Sequence, residues 1–245
     1  MAAEELSPPV EISAPAPAGS RHRGRIAGLL GVSALVLAVA LLSLAALVGP
    51  RAAEATNIPS FDYAGIPTAG YTLGAADAPV TIDIYMDFQC PICHDWYTTI
   101  FPSLRAGPLS SGEAKLVFHG TSAAGPESVA ADKAAYAAAQ QGYFWDMWTT
   151  LYDHQGADEN SGAFSDANLR ALAQNLGLDM TRYDADFASA AAQDFVSAGE
   201  TDSHAHNITG TPTLIIAGVQ YPGVGSYADL AAAIGAAQAS ASPSR

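Results

Sequence analysis

Asp87-Phe-Gln-Cys-Pro-Ile-Cys-His-Asp-Trp96 holds the only two cysteines of the chain, Cys90 and Cys93, directly behind the alternating run Val80-Thr-Ile-Asp-Ile-Tyr-Met-Asp-Phe88. That run places Val80, Ile82, Ile84, Met86 and Phe88 on one face, the period of a half-buried strand. From His94 to Arg105 the pattern turns helical, with Trp96, Tyr97, Ile100 and Leu104 in step and Pro102 inside, where its missing N–H predicts a kink. The two thiols therefore stand at a strand-to-helix junction, where free backbone N–H groups and the positive end of the helix dipole favour an anion. Cys90, the outer one, is expected to ionise below the ordinary thiol value of about 8.5. Cys93, one turn in, is expected to be shielded, and Pro91 suits the first helical turn, which needs no N–H from it.

A CxxC pair has three readings: a redox couple, half of a metal site, or a structural staple. A staple closing so short a loop removes little entropy from the unfolded chain. A structural zinc takes four ligands, and His94, His119, His204 and His206 have neither the spacing to the cysteines nor to one another. The acidic loop 153–160 lacks the spacing of a calcium loop. A redox couple that exchanges with other thiols needs an open backbone edge beside the outer sulfur. Gly210-Thr-Pro-Thr213 supplies a candidate edge, because Pro212 immediately precedes an apolar run and X-Pro before a strand suits a cis peptide bond.

Outward from the pair, Lys115-Leu-Val-Phe-His119 reads as a second strand after the turn signal Ser111-Gly112, which completes a βαβ unit. Residues 127–206 are Ala-rich and read as a helical insertion; one helix spans Asp166–Leu176, with Ser165 before it and Gly177 after it. The stripe Phe144, Trp145, Met147, Trp148, Leu151 and Tyr152 reads as helix packing. Thr213–Ala217, the turn at Gly218 and Val219–Tyr221 form a hairpin, and Ser226-Tyr-Ala-Asp229 reads as a capping box opening a last helix to about Gln238.

The 245 residues carry 24 acidic against 10 basic side chains, a net charge of −14 that argues against nucleic-acid binding. Residues 1–25 balance, so the excess lies after residue 50. Ile26–Val48 is 23 uncharged, mostly apolar residues, about 35 Å of helix, enough to cross a membrane. Arg21, Arg23 and Arg25 precede it, so the N-terminus is expected in the cytoplasm and the rest outside, anchored in the cell membrane. A cleaved signal peptide competes, since Ala53-Glu-Ala55 has the form of a cleavage site. Residues 1–25 read as a cytoplasmic tail and 49–70 as a linker.

With D-F-x-C-P-x-C at 87–93, Pro102 in the following helix, Gly142-Tyr-Phe-Trp145 in the insertion and Gly210-Thr-Pro-Thr-Leu214 before the hairpin, the chain resembles thioredoxin-fold proteins of the DsbA type over roughly 71–238. The resemblance implies an α/β thioredoxin fold, βαβ then ββα, built from 71–126 and 207–240 with the all-helical insertion between them. It implies Cys90 as nucleophile, Cys93 as resolving cysteine and Thr211 with Pro212 as the client-binding loop. It implies exported cysteine-containing clients, reoxidation by a quinone-linked membrane protein, and no cofactor. Two positions depart from the pattern. Ile92 stands where strongly oxidising members carry His, and Ile84 stands where thioredoxins bury an acid. Asp83 or Asp87 is then a candidate acceptor for the Cys93 proton, against the plainer reading of a solvated or helix-capping carboxylate. His119, at the end of the second strand, is a candidate partner near Cys90, against that of an ordinary strand-end histidine. Disulfide introduction leads; reduction or isomerisation on the same fold, and a non-catalytic binding module, are the rivals.

Overall fold

The computed structural model describes Tyr63, residues 65–222 and residues 225–241. The expected tail at 1–25 and span at 26–48 lie outside the described residues. Among the described residues no helix is long and apolar enough to cross a membrane.

A six-stranded sheet forms the centre: β1 Thr68–Ala69, β2 Thr72–Leu73, β3 Val80–Met86, β4 Ala114–Gly120, β5 Thr213–Ile216 and β6 Val219–Pro222. The order is β1-β2-β4-β3-β5-β6, and only β3 and β4 run parallel. The alternation of β3 is realised as expected, with Val80, Ile82, Ile84, Met86 and the following Phe88 all buried. Each such side chain contributes on the order of 1.5–3 kcal/mol by leaving water. The linker boundary needs correction. Tyr63 and Ile66 are buried, Tyr63 gives its hydroxyl proton to the Trp145 carbonyl, and β1 starts at Thr68, so the folded body takes in residues read as tether. Strands of two residues are too short to show a period.

The helix after the cysteines is broken in two. Helix α1, Pro91–Thr99, starts three residues earlier than the apolar spacing suggests, with Cys90 at its N-cap and Pro91 in its first turn. Pro102 cannot donate to the carbonyl four residues back, so α1 stops at Ile100 and α2, Phe101–Leu104, restarts with the proline in its own first turn. A wide π-helical turn, Arg105–Leu109, then carries the chain past Pro108 to β4.

Between β4 and β5 run five helices: α3 Pro126–Ala139, α4 Phe144–Asp153, α5 Asp166–Asn175, α6 Met180–Phe187 and α7 Ala190–Ala205. Ala131, Ala134, Ala135, Ala137 and Ala138 of α3 are wholly buried, and their small size lets neighbouring helices come close. The α4 stripe is also wholly inside and meets α1 and α2 through aromatic pairs: Tyr97–Trp148 at 5.3 Å, Phe101–Trp148 at 4.9 Å and Tyr97–Tyr152 at 5.4 Å between centroids. Such pairs add about 0.5–1.5 kcal/mol each beyond burial. Where α7 crosses the end of β4, two glycines touch: a Cβ on Gly199 would lie 2.3 Å from the Gly120 carbonyl oxygen.

The β5–β6 hairpin turns through Ala217 and Gly218, both at positive φ (49° and 79°), the backbone of a type I′ turn. The final helix, α8 Tyr227–Ala241, opens on the expected box: Ser226 donates to the Asp229 carboxylate at 2.6 Å and accepts from the Asp229 N–H at 3.2 Å.

Candidate functional site

Strand β3 and helix α1 together place Cys90 at the C-terminal edge of the sheet. Cys90 takes the N-cap position with extended backbone, φ −69° and ψ 118°, so its sulfur lies over the first turn of α1. Because β5 pairs antiparallel with β3, matching Tyr85 to Thr213, the segment before β5 is carried to the same edge. Thr211-Pro212 there is cis, and the Thr211 carbonyl accepts from the Cys90 Sγ at 3.4 Å. Cys93 lies one turn deeper and is wholly buried, whereas Cys90 is partly exposed. Both are free thiols. Ile92 is 61% exposed beside them, an apolar lip at the mouth of the site.

The two sulfurs differ in acidity. The Cys90 thiol is pulled down to about 6, first by a hydrogen bond from Cys93, with partial burial opposing and the Thr211 side chain and the N–H groups of Cys93 and Ile92 assisting. The helix N-terminus contributes as expected, but the partner thiol ranks ahead of it. Burial pushes the Cys93 thiol far up, and the nearby Cys90 adds to this. One sulfur is thus poised to ionise near neutrality while the other holds its proton.

The loop carrying Cys90 is fixed from behind. Asp87 is buried, and its carboxylate accepts from the Gln89 N–H at 2.8 Å, the Ala124 N–H at 2.7 Å and the Ser128 hydroxyl at 2.6 Å. Its carbonyl accepts from the Cys90 N–H at 3.1 Å and the Tyr152 hydroxyl at 3.3 Å. Asp87 thus ties the thiol loop to the start of α3 through its carboxylate, while its backbone hydrogen-bonds the Cys93 thiol and opposes the rise in its pKa. Gln155, just after α4, donates to the Phe88 carbonyl at 2.7 Å and the Cys90 carbonyl at 3.1 Å. Gln89 bonds to Ser128 at 2.8 Å and accepts from the Asn160 N–H at 2.6 Å. Gln89, Ser128, Gln155 and Asn160 were not legible as site residues, since single polar side chains carry no periodic signal. The one available hint was an uncharged Gln within the otherwise assigned D-F-Q-C.

Of the expected residues, Cys90, Cys93, Thr211 and Pro212 come together and Pro91 starts the helix beneath them. His119 does not join them. It pairs in register with Tyr85 and stacks on that ring at 4.6 Å, while its two ring nitrogens lie 3.0 Å from Asp83 Oδ1 and 3.0 Å from Asp202 Oδ2. Tyr85 also donates to Asp202 at 2.7 Å. This corrects the expectation of a Cys90 partner: His119 points to the sheet face that α7 covers and links α7 to β3 and β4. Asp83, the other candidate proton acceptor, is held by His119 in the same cluster. Among the described residues no group of three or more His, Cys, Asp or Glu could hold a metal ion.

Comparison with known proteins agrees with this architecture. The family model described as Thioredoxin matches residues 68–236. The "Na(+)/H(+) antiporter NhaA 3" of Salinispora tropica is 30% identical over 185 residues, 71% of this chain, which spans only 26% of that protein. The "Probable disulfide bond formation protein D" of Bacillus cereus is 26% identical over 151 residues, 60% of this chain and 69% of that one. Among solved structures, oxidised BdbD from Bacillus subtilis superposes with a TM-score of 0.64 at 22% identity, over 71% of this chain and 96% of that one. Wolbachia pipientis alpha-DsbA1 superposes with a TM-score of 0.62 at 14% identity, over 73% and 96%. At these identities the structures speak for the fold alone, and the model match across 68–236 shows that the chain belongs to the thioredoxin family.

Proposed function

We propose that the chain is a thiol:disulfide oxidoreductase of the DsbA type, tethered to the membrane through residues 26–48, which introduces disulfides into exported proteins through Cys90 and Cys93. The observation that carries this reading is the asymmetry of the pair: a partly exposed, acidic sulfur lies 3.4 Å from the backbone edge at Thr211, above a buried thiol that resists ionisation. Similarity to a probable disulfide bond formation protein supports the same class.

In the oxidised protein a client thiolate attacks Cys90 Sγ. The Cys90–Cys93 bond breaks, a client–Cys90 bond forms, and Cys93 leaves with the electron pair and takes up a proton. A second client thiolate then attacks the client sulfur of the mixed disulfide, and Cys90 leaves as a thiolate. The client loses two electrons and the protein pair gains them. The acidity of Cys90 makes it a good leaving group in this step. A quinone-linked membrane protein then accepts the two electrons and restores the disulfide. Thr211 and Pro212 present the backbone edge along which the client lies.

A Cys93→Ala variant has no resolving thiol, so it is expected to retain clients as mixed disulfides on Cys90 that reducing agent releases. No retained protein, or full function in cells of a Cys90→Ser, Cys93→Ser double variant, would sink the proposal. The potential of the couple sets its direction: a value near about −120 mV marks an oxidase and one near about −270 mV a reductase.

A further inference from the structure

Beside the Thr211-Pro212 loop a cleft of about 330 Å³ opens between residues 121–123 after β4, the last turns of α7 and residues 208–211. Its walls include Thr121, Ser122, Glu200, Ser203 and His204, and it reaches Thr211, whose carbonyl faces the Cys90 sulfur. No lysine or arginine lines it. Glu200 is exposed on one wall. Thr121 is 5% exposed, and its hydroxyl has no partner among the described residues. Ser122 donates to Asp132 Oδ2 at 2.8 Å, and the other oxygen of this buried carboxyl also has no partner among them. Burial first, then the fields of Asp87 and Glu200, push the Asp132 carboxyl up to about 8, with Ser122 opposing. With Asp132 protonated at neutral pH, the negative charge of the cleft is that of Glu200, and no lysine or arginine of its lining offsets it. The chain as a whole, with 24 acidic against 10 basic residues, strengthens that field.

We propose that this cleft is a side-chain subsite that takes a client lysine or arginine lying two residues from the client's reacting cysteine. The proposal rests on the oxidoreductase reading and names a substrate preference for it. In an extended client, side chains two residues apart point the same way and sit about 7 Å apart. A client cysteine on Cys90 therefore sends its second neighbour past Thr211 to the cleft. A long cationic side chain fits the volume and meets Glu200 with its charge.

The test uses the full-length Cys93→Ala chain, with and without Glu200→Gln, and peptides whose single cysteine carries a coloured arylthiol in disulfide linkage. Cys90 thiolate displaces the arylthiolate, one S–S bond forming as another breaks, and its colour gives the second-order rate. The peptides differ only in having Lys, Ala or Glu two residues before or after the cysteine. At low salt the Lys peptide is expected to react about fivefold faster than the Ala peptide, the upper range for a partly exposed ion pair, and the Glu peptide slower. Glu200→Gln should bring the preference within about twofold, while Asp194→Asn, an exposed acid of the same helix that does not line the cleft, should leave it intact. Equal rates for the three peptides, a preference that survives Glu200→Gln, or one lost equally in Asp194→Asn would overturn the subsite. Failure of every peptide, Ala included, to release colour would instead bring down the oxidoreductase reading and the subsite with it.

Discussion

Replacing Cys93 with Ala removes the first-ranked cause of Cys90 acidity and leaves a single cysteine to titrate. A hydrogen bond to a charged group is worth about 1.5–3 kcal/mol, and about 1.4 kcal/mol corresponds to one pKa unit, so Cys90 should titrate about one to two units above its present value of about 6. At pH 7 a thiol of that value is about 90% ionised, and the variant falls to about 10–50%. The ultraviolet absorbance of the thiolate, followed against pH in both reduced proteins, measures this directly; in the wild type the shielded Cys93 stays protonated throughout. If the two curves coincide within a few tenths of a unit, the N–H groups of α1 and Thr211 carry the acidity and the internal hydrogen bond is refuted. The same numbers set a stability profile. Because folding lowers the Cys90 value from 9.0 to about 6, ionisation stabilises the reduced fold fully above about pH 9, and this is lost as pH falls through 6. At pH 7 the difference is about 1.4 kcal/mol, or about 30 mV for a two-electron couple, and screening at a partly exposed sulfur makes both figures upper bounds.

The potential of the pair should fall by about 59 mV per pH unit below pH 6, where reduction takes up two protons, and by about 30 mV above it, where it takes up one; a single slope across pH 5–8 would contradict the acidity of Cys90. Gly199→Ala sets a methyl against the Gly120 carbonyl and should lower stability by about 1–3 kcal/mol, read as a shift in the denaturant midpoint; an unchanged midpoint would mean that α7 lifts freely off β4. Asp87→Asn and His119→Gln should each lower stability by about 1–2 kcal/mol while leaving the thiolate titration in place, and a moved titration would show that the side chain acts on the sulfurs after all.

Strand β3, the position of the cysteines and the hairpin at Gly218 were legible because each rests on local rules: a period of two, an N-terminal proline, a turn glycine. The break at Ile100 follows from Pro102, yet its form as a second short helix and a π turn depends on packing that no local pattern encodes. Strands β1 and β2 stayed hidden because each has only two residues and β2 is held to the sheet by β4, more than forty residues away, with β1 attached through β2. At the site, the thiols and Thr211-Pro212 could be paired from spacing and chemistry. The roles of Asp87 and His119 could not, because both stand near the strand edge in sequence but their side chains are claimed by α3 and α7, elements whose approach is fixed only in three dimensions.

The rings of α4 interleave with Tyr97, Phe101 and Phe88, residues that flank the cysteines rather than belong to the insertion. In the order of the chain, the five helices are an added piece. In the packing they are not separable, for cutting them out would strip the helix that bears the thiols and bare the ring of Phe88. A chimera that borrows this segment from another member of the fold should therefore fail unless positions 88, 97 and 101 travel with it, so drift at these positions is expected to be coupled across the insertion boundary.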